Sequence, residues 1–255
     1  MMNTIAKPLR HATLRSYVLE AKYEFLRLLR APVFAVPTIL FPALFYLLFG
    51  VVLNFGNGQA ASYLLATYGV FGVTGAGLFG FGVTVAVERE QGLLQLKRAL
   101  PMPPGAYLLA KMAMAMLFSA IVSLLLAVMA SVLAGVSLQP SQWALLLLVD
   151  VLGAVPFCAL GLYLGTLVSG SAAPAVVNLI FLPMAFLSGL WMPLAMLPDV
   201  LGRVAPALPA YHLGQVALKV VGMDGGAPVA LHLGALAVFA VVFFVLARAR
   251  LAKVG

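Results

Sequence analysis

Six runs of about twenty apolar residues restrict this chain more than any other feature, because each can cross a bilayer core of about 30 Å as a helix. They span Val33 to Leu53, Ser62 to Val87, Ala110 to Ala134, Trp143 to Val168, Ala173 to Met192 and Ala227 to Ala247. A transmembrane β-barrel needs segments of about ten residues that alternate apolar and polar positions. Runs such as Leu145 to Val149 and Phe239 to Leu246 alternate nowhere. With 64% apolar and only 9% charged residues, and a mean hydropathy of +1.12, the composition excludes a soluble domain.

The few charges then set an orientation, since Lys and Arg near short loops stay on the cytoplasmic side. Six precede the first span (Lys7, Arg10, Arg15, Lys22, Arg27, Arg30), four belong to the island from Glu88 to Lys111 that joins spans two and three (Arg89, Lys97, Arg98, Lys111), and three follow the last (Arg248, Arg250, Lys253). Arg203 and Lys219 alone fall on the other side. Both termini are therefore expected inside. The net charge of +8 reads as topology and contact with anionic lipid, not as nucleic acid binding. No cleavable signal peptide is expected, because the first thirty residues form a long basic stretch without a short n-region and h-region. Cys158 is the single cysteine, so no internal disulfide or metal framework is predicted.

Between Ala12 and Arg30, the residues Leu14, Tyr17, Val18, Ala21, Phe25 and Leu28 recur at helical spacing, which predicts an amphipathic helix on the inner membrane surface. Glu24 and Arg27 are placed to pair at i,i+3, and Pro32 forces a break before the first span. The helix serves either as an anchoring elbow or as an additional contact for a cytoplasmic partner. From Glu88 to Lys111 the sequence EREQGLLQLKRALPMPPGAYLLAK forms a charged island between apolar runs. Helical projection puts Glu88, Gln91, Gln95 and Arg98 on one face and Leu93, Leu96 and Leu100 on the other. Pro101, Pro103, Pro104 and Gly105 end that helix in a stiff turn. Such an element could transmit a displacement to the flanking spans, or be an ordinary loop with a solvated face.

The island is similar to the cytoplasmic loop of the type-2 ABC transporter permease family, with its acidic residues (Glu88 to Glu90, Arg89 between them), a Gly-Leu step (Gly92, Leu93), an apolar-basic run (Leu96 to Arg98), a proline turn (Pro101, Pro103) and a Lys (Lys111). The doubled Pro103 and Pro104 depart from the family, which often has a small polar residue there. A second resemblance lies in LSGLWMPLAMLPDVLGRVAPALPAYHLGQ: a Ser-Gly step (Ser188, Gly189), Pro193, the Leu197-Pro198 pair, and Pro209 with Tyr211. Together with six spans, both ends inside and a length of 255 residues, the two motifs, in order and at the family's spacing, extend the match over essentially the whole chain. The resemblance implies a permease subunit of an exporter in the inner (plasma) membrane of a bacterium, paired with a second permease copy as a homodimer and with two separate ABC ATPase subunits. Its coupling residues would be Glu88, Arg89, Glu90, Gln91, Gly92, Gln95, Leu96, Lys97, Arg98, Pro101 and Pro103. No Gly-Lys dipeptide occurs, so a phosphate-cradling P-loop is absent. The chain itself is expected to need no cofactor; ATP and Mg would bind the partner ATPase.

The expected fold class is thus an all-α polytopic membrane protein with six transmembrane helices and both ends inside. An N-terminal amphipathic segment (1–32) precedes the transmembrane domain (33–247), which carries the coupling loop (88–110) and external re-entrant helices (193–223), and a short tail (248–255) follows. Gly72, Ala76, Gly80 and Thr84, and separately Gly161 and Gly165, form small faces for close helix packing, within the chain or between subunits. Gly69, Gly75, Gly77 and Gly82 add further glycine to the second span. The segment Pro193 to Met223 is too apolar for a solvated loop and too proline-broken for a span. Ser188, Gly189, Pro193, Pro198, Asp199, Arg203, Pro209 and Tyr211 are its external gate candidates. Asp199 suits a helix N-terminus and an i,i+4 pair with Arg203. His212 has no carboxylate or Cys nearby, which favours a capped or interfacial histidine over a metal ligand.

Asp150 lies well inside the fourth run, where an unpaired charge would cost roughly 2.5 to 3.5 kcal/mol. It faces protein or a wet cavity, unless the span starts later and leaves it at the outer interface. Asn178 is placed to hydrogen bond across the subunit interface. Phe41, Phe45, Phe49 and Phe181 join Asn178 and Asp150 as candidate pathway lining, an apolar and adaptable surface suited to drugs, antibiotics or lipids. Two Trp and eight Tyr offer little for a sugar-stacking channel, so polysaccharide export is the alternative reading. An ATP-independent carrier or channel subunit stands behind both, since ion-driven carriers place several ionisable groups at the midplane. An embedded enzyme is disfavoured because His11, His212 and His232 are scattered.

Overall fold

The computed structural model describes residues 10–54, 56–99 and 105–254, and among them every regular element is helical. Arg30 and Ala31 separate helix α1 (Arg10–Leu29) from Pro32, the first residue of α2 (Pro32–Phe45). Proline there has a preset φ and gives up an N–H that would have no partner anyway. Pro37 and Pro42 also sit inside α2, and each removes a backbone donor. Beyond Pro42 the helix widens into a π-helical stretch, Tyr46–Val52, closed by the Leu53 N–H on the Leu48 carbonyl at 2.9 Å.

Asn57 caps the next helix, its side chain accepting from the Ala60 N–H at 3.1 Å, as a short polar residue does at this position. Helix α3 (Gly58–Gly77), a second π stretch (Leu78–Val83) and α4 (Thr84–Glu90) then run without interruption. These 33 residues form the most enclosed of the long helices, about 50 Å in length at 1.5 Å per residue. Glycine at 92, with φ +72°, stops α4: its N–H bonds to the Arg89 carbonyl in the usual left-handed helix ending. Helix α5 (Leu93–Ala99) follows in a new direction. The single amphipathic helix expected from Glu88 to Arg98 is therefore two helices, because the positive φ available to Gly92 breaks it. Pro101 and Pro103 lie outside the described residues, as do the side chains of Lys97 and Arg98.

Helix α6 (Ala106–Val132) begins four residues earlier than the apolar run suggests, so that Lys111 stands in its second turn and not in its first. Helix α7 (Pro140–Leu167) opens on a capping box between Gln139 and Gln142. Helix α8 (Ala173–Leu187) has only 15 residues, about 22 Å of rise. It ends at Gly189 (φ +75°), with Leu190 N–H on Ala185 O and Gly189 N–H on Phe186 O, both bonds of a Schellman ending. Among the described residues five helices are thus long and apolar enough to cross a bilayer. The fifth expected span is the exception, cut short by that glycine. Beyond it come a 3₁₀ turn (Leu194–Met196), α9 (Asp199–Val204), a second 3₁₀ turn (Ala205–Ala207), α10 (Pro209–Val220) and α11 (Val229–Val254).

The α3 rod forms the centre, packed by α2, α6, α7 and α10, while α11 lies against α7 and α10 and leaves most of its surface outward. Its tightest contact is with α7. A Cβ on Gly82 would stand 2.9 Å from the Gly161 carbonyl oxygen, one on Gly161 2.9 Å from Gly77 O, and one on Gly165 2.6 Å from Gly82 O. Toward α7 the small face is Gly77 and Gly82, while the expected Gly72 packs toward α6 and α2, where an added Cβ would stand 2.6 Å from Val122 Cγ1. At Gly80 an added Cβ would meet only the mobile ends of Met114 and Phe34, at 3.2 Å.

Candidate functional site at the charged island

Charge inside an apolar bundle must find partners, because an unpaired ion there is costly. Four charged groups from three helices solve this together at the island end of the bundle. Glu24 of α1, Glu88 of α4 and Lys111 of α6 are all buried. Lys111 Nζ donates to Glu24 Oε1 at 2.5 Å, to Glu88 Oε1 at 3.0 Å and to Thr84 Oγ1 at 2.9 Å. All three of its protons are used. Arg27, half-exposed at the rim, reaches the same two carboxylates, at 2.7 Å for Glu24 and 2.5 Å for Glu88. The Tyr107 hydroxyl donates to the remaining Glu88 oxygen at 2.6 Å, and its ring lies 5.1 Å from Lys111 Nζ. Two negative and two positive charges leave the cluster neutral, so its ions can remain ionised without a net buried charge.

The residues next in sequence form a second tether. Arg89 donates from Nη1 to Thr166 O and from Nη2 to Val168 O, the latter at 2.6 Å, capping the C-terminal carbonyls of α7 with a positive charge. Glu90 accepts from the Gly170 N–H at 2.7 Å, in the turn between α7 and α8. Consecutive side chains at 88, 89 and 90 thus bind α4 to α1 and α6 on one side and to the α7–α8 turn on the other. Helix α5 departs directly from this junction, with Gln95 and Leu96 exposed and Gln91 exposed beside it. Glu88 does not share that surface: it is 2% exposed and fully partnered. Replacing Arg89 with Ala should leave a folded protein but free the end of α7. We expect a loss of about 1.5–3 kcal/mol for hydrogen bonds to a charged group and faster amide exchange at residues 166–172, read by mass spectrometry.

Sequence spacing identified the Glu24–Arg27 pair but not its extension to Glu88 and Lys111, which comes from chain separations of 61 and 87 residues. The signal for it is the position of Lys111, inside an apolar helix and one turn after Tyr107. The apolar face predicted for α1 is only half used. Leu28 is buried and the Phe25 ring packs at a tilt on Phe118, centroids 5.4 Å apart, whereas Leu14 and Val18 are exposed.

The model of the family described as ABC-2 family transporter protein matches residues 54–249, from just before α3 into the C-terminal part of α11. The chain belongs to the ABC-2 transporter family. It is a multi-pass membrane permease subunit of that kind, and membership implies an ABC ATPase as partner. A protein of Bacillus subtilis (strain 168), named "Putative transport permease YvfS", is 28% identical over 229 residues, covering 88% of this chain and 92% of its own length.

In this ABC-2 permease the other predicted residues separate into distinct places. Phe45 and Phe49 stack at 6.2 Å, Phe45 and Trp191 at 5.9 Å, and Phe181 lies 4.7 Å from Phe71. The cluster therefore joins the first π stretch to α3 and α8 through Phe71, which sequence reasoning passed over. Phe41 and Asn178 are exposed instead. Asp150 belongs to neither group: it is buried between α3 and α7, 2.8 Å from where a Cβ on Gly69 would sit.

Among the gate candidates, the Gly189 carbonyl accepts from the Tyr63 hydroxyl at 2.7 Å, and Ser188 is buried with its hydroxyl unpaired. Pro193 precedes the first 3₁₀ turn and Pro198 precedes α9. Asp199 does head α9, but among the described residues no ion pair joins it to Arg203, since both are exposed on a six-residue helix where ordering two side chains gains little. Pro209 starts α10, and Tyr211 packs edge-on to His212 and His232. His212 is buried: its Nδ1 lies 3.0 Å from His232 Nδ1 and its Nε2 2.9 Å from Pro206 O. Among the described residues no His, Cys, Asp or Glu group is clustered for a metal.

Proposed function

We propose that this permease is the membrane-spanning half of an ATP-driven exporter of amphiphilic or lipid-like cargo, with α5 as the contact for a separate ATPase subunit. The observation that carries it is the junction at Glu88, Arg89 and Glu90, which ties the base of α5 to α1, α6 and α7 at once. A push on α5 reaches three helices without crossing a flexible loop. Gln91, Gln95 and Leu96 form the docking surface, with Lys97, Arg98, Pro101 and Pro103 as its further candidates from the sequence; Glu88 transmits. The island side faces the cytoplasm of a bacterium, with both termini there, in line with the distribution of Lys and Arg; this topology takes the short α8 with the turns after it as the sixth crossing. ATP and Mg bind the partner.

Two permease copies meet along α2 and α8. Both present exposed apolar residues, Val33 at 90% and Leu179 at 74%, and Asn178 lies exposed on α8, where a polar side chain in lipid would lack a partner. The turns and short helices from Pro193 to Tyr211 close the far side. The aromatic cluster around Phe45 and Phe181 favours apolar cargo over a polysaccharide.

Two experiments test this. Replacing residues 92–98 with a flexible linker should abolish co-purification of the ATPase while the permease stays monodisperse; a complex that persists would overturn the assignment of α5. Deleting 193–208 should uncouple ATP hydrolysis from export, and normal export from that variant would refute the gate.

A further inference from the structure

One buried acid is left out of every contact described so far. Asp150, the eleventh residue of α7 and so about 15 Å along it, is 3% exposed, and its Oδ1 has no hydrogen-bond partner. It lines a cavity of about 360 Å³ between α3, α6 and α7, within the range that holds small organic ligands. The walls are apolar apart from Asp150, the hydroxyls of Ser123 and Ser131, and the indole of Trp143. Gly69 makes the room: any side chain there would run into the Asp150 carboxylate at 2.8 Å. On the outer wall, Leu124, Val128 and Ala144 are exposed, so the cavity opens sideways between α6 and α7, on surfaces that a bilayer would cover.

We infer that the Asp150 cavity binds a monocationic amphiphile, an alkyl chain bearing one ammonium group, that enters from the lipid. The reasoning is complementarity. A carboxylate buried in an apolar bundle needs a cation, and among the described residues none of the ion pairs includes Asp150. An ammonium at Oδ1 would be held by charge-assisted hydrogen bonding, with Trp143 available as a cation–π face and the apolar walls receiving the chain. A neutral or anionic amphiphile would gain only the walls. This is the cargo class proposed for the permease, made specific; binding is read without an ATPase, so its failure leaves the α5 contact standing and failure of that contact leaves the cavity standing.

The test uses the full chain in phosphatidylcholine nanodiscs with Trp191→Phe, so that Trp143 is the one tryptophan, and follows its emission during titration with dodecylammonium and with dodecanol. The expected result is saturable binding of dodecylammonium at least tenfold tighter than dodecanol. Asp150→Asn should bring the amine down to the alcohol's level, and Asp150→Glu should keep most of the preference. Ala144→Phe, which fills the cavity from its exposed side without touching the acid, should weaken amine binding at least tenfold. Equal binding of amine and alcohol by the parent protein would overturn the inference, as would undiminished amine binding by Asp150→Asn. Should Asp150→Asn fail to fold, undiminished binding by Ala144→Phe would overturn it alone.

Discussion

Replacing Lys111 with Met should cost the folded protein about 3–5 kcal/mol, as expected when one partner of a buried ion pair is removed and the other left uncompensated. The substitution fits the space, since Met nearly matches the Lys stem, so the loss is electrostatic. Glu24 and Glu88 would be left facing each other with only the half-exposed Arg27 between them. Adding Glu88→Gln to Lys111→Met should restore part of the loss, because it removes one of the two stranded charges; the effects of residues in one network do not add. Thermal unfolding in detergent, followed by tryptophan emission, would check both. A double variant no more stable than the single one would mean that the four groups do not act as a unit.

A second large effect is expected where α3 meets α7. Gly82→Ala and Gly161→Ala each place a methyl 2.9 Å from an opposing backbone carbonyl oxygen, and neither backbone can yield without separating the helices. Overpacking of this kind costs about 1–3 kcal/mol or more, and Leu at either site should abolish the folded protein. Gly80→Ala is the control, because Met114 and Phe34 can rotate away. Size-exclusion profiles and unfolding temperatures should rank Gly80→Ala well above the other two. Equal losses at 80 and 82 would refute the close approach as the cause.

These results bear on what the amino-acid order reveals by itself. The five long spans were legible because a bilayer imposes a length rule on each segment separately. Their ends were less so: α6 starts four residues before its apolar run, and Gly189 closes α8 after only 15 residues. The Gly92 break was missed because helical projection assumes an unbroken helix, and a glycine with positive φ ends one without any proline. The charge network was beyond reach for a different reason. Glu24 meets Lys111 across 87 residues, and the local spacing that identifies an i,i+3 pair carries no information at that separation. Likewise, the choice of Gly77 and Gly82 over Gly72 and Gly80 depends on which side of α3 turns toward α7.

That side is set by the π stretch at Leu78–Val83. A π turn holds one residue more than an α turn within the same helix, and each residue in an α-helix advances the rotation by about 100°. The second span therefore carries one residue of slack at its middle. Removing a single residue from this stretch could be absorbed by a return to α-helical winding, with Glu88 still facing Lys111, whereas the same deletion in Gly58–Gly77 would rotate one half of the span against the other. Between the aromatic cluster and the charged junction, the permease thus has one place where its reading frame of side chains can slip without breaking the rod.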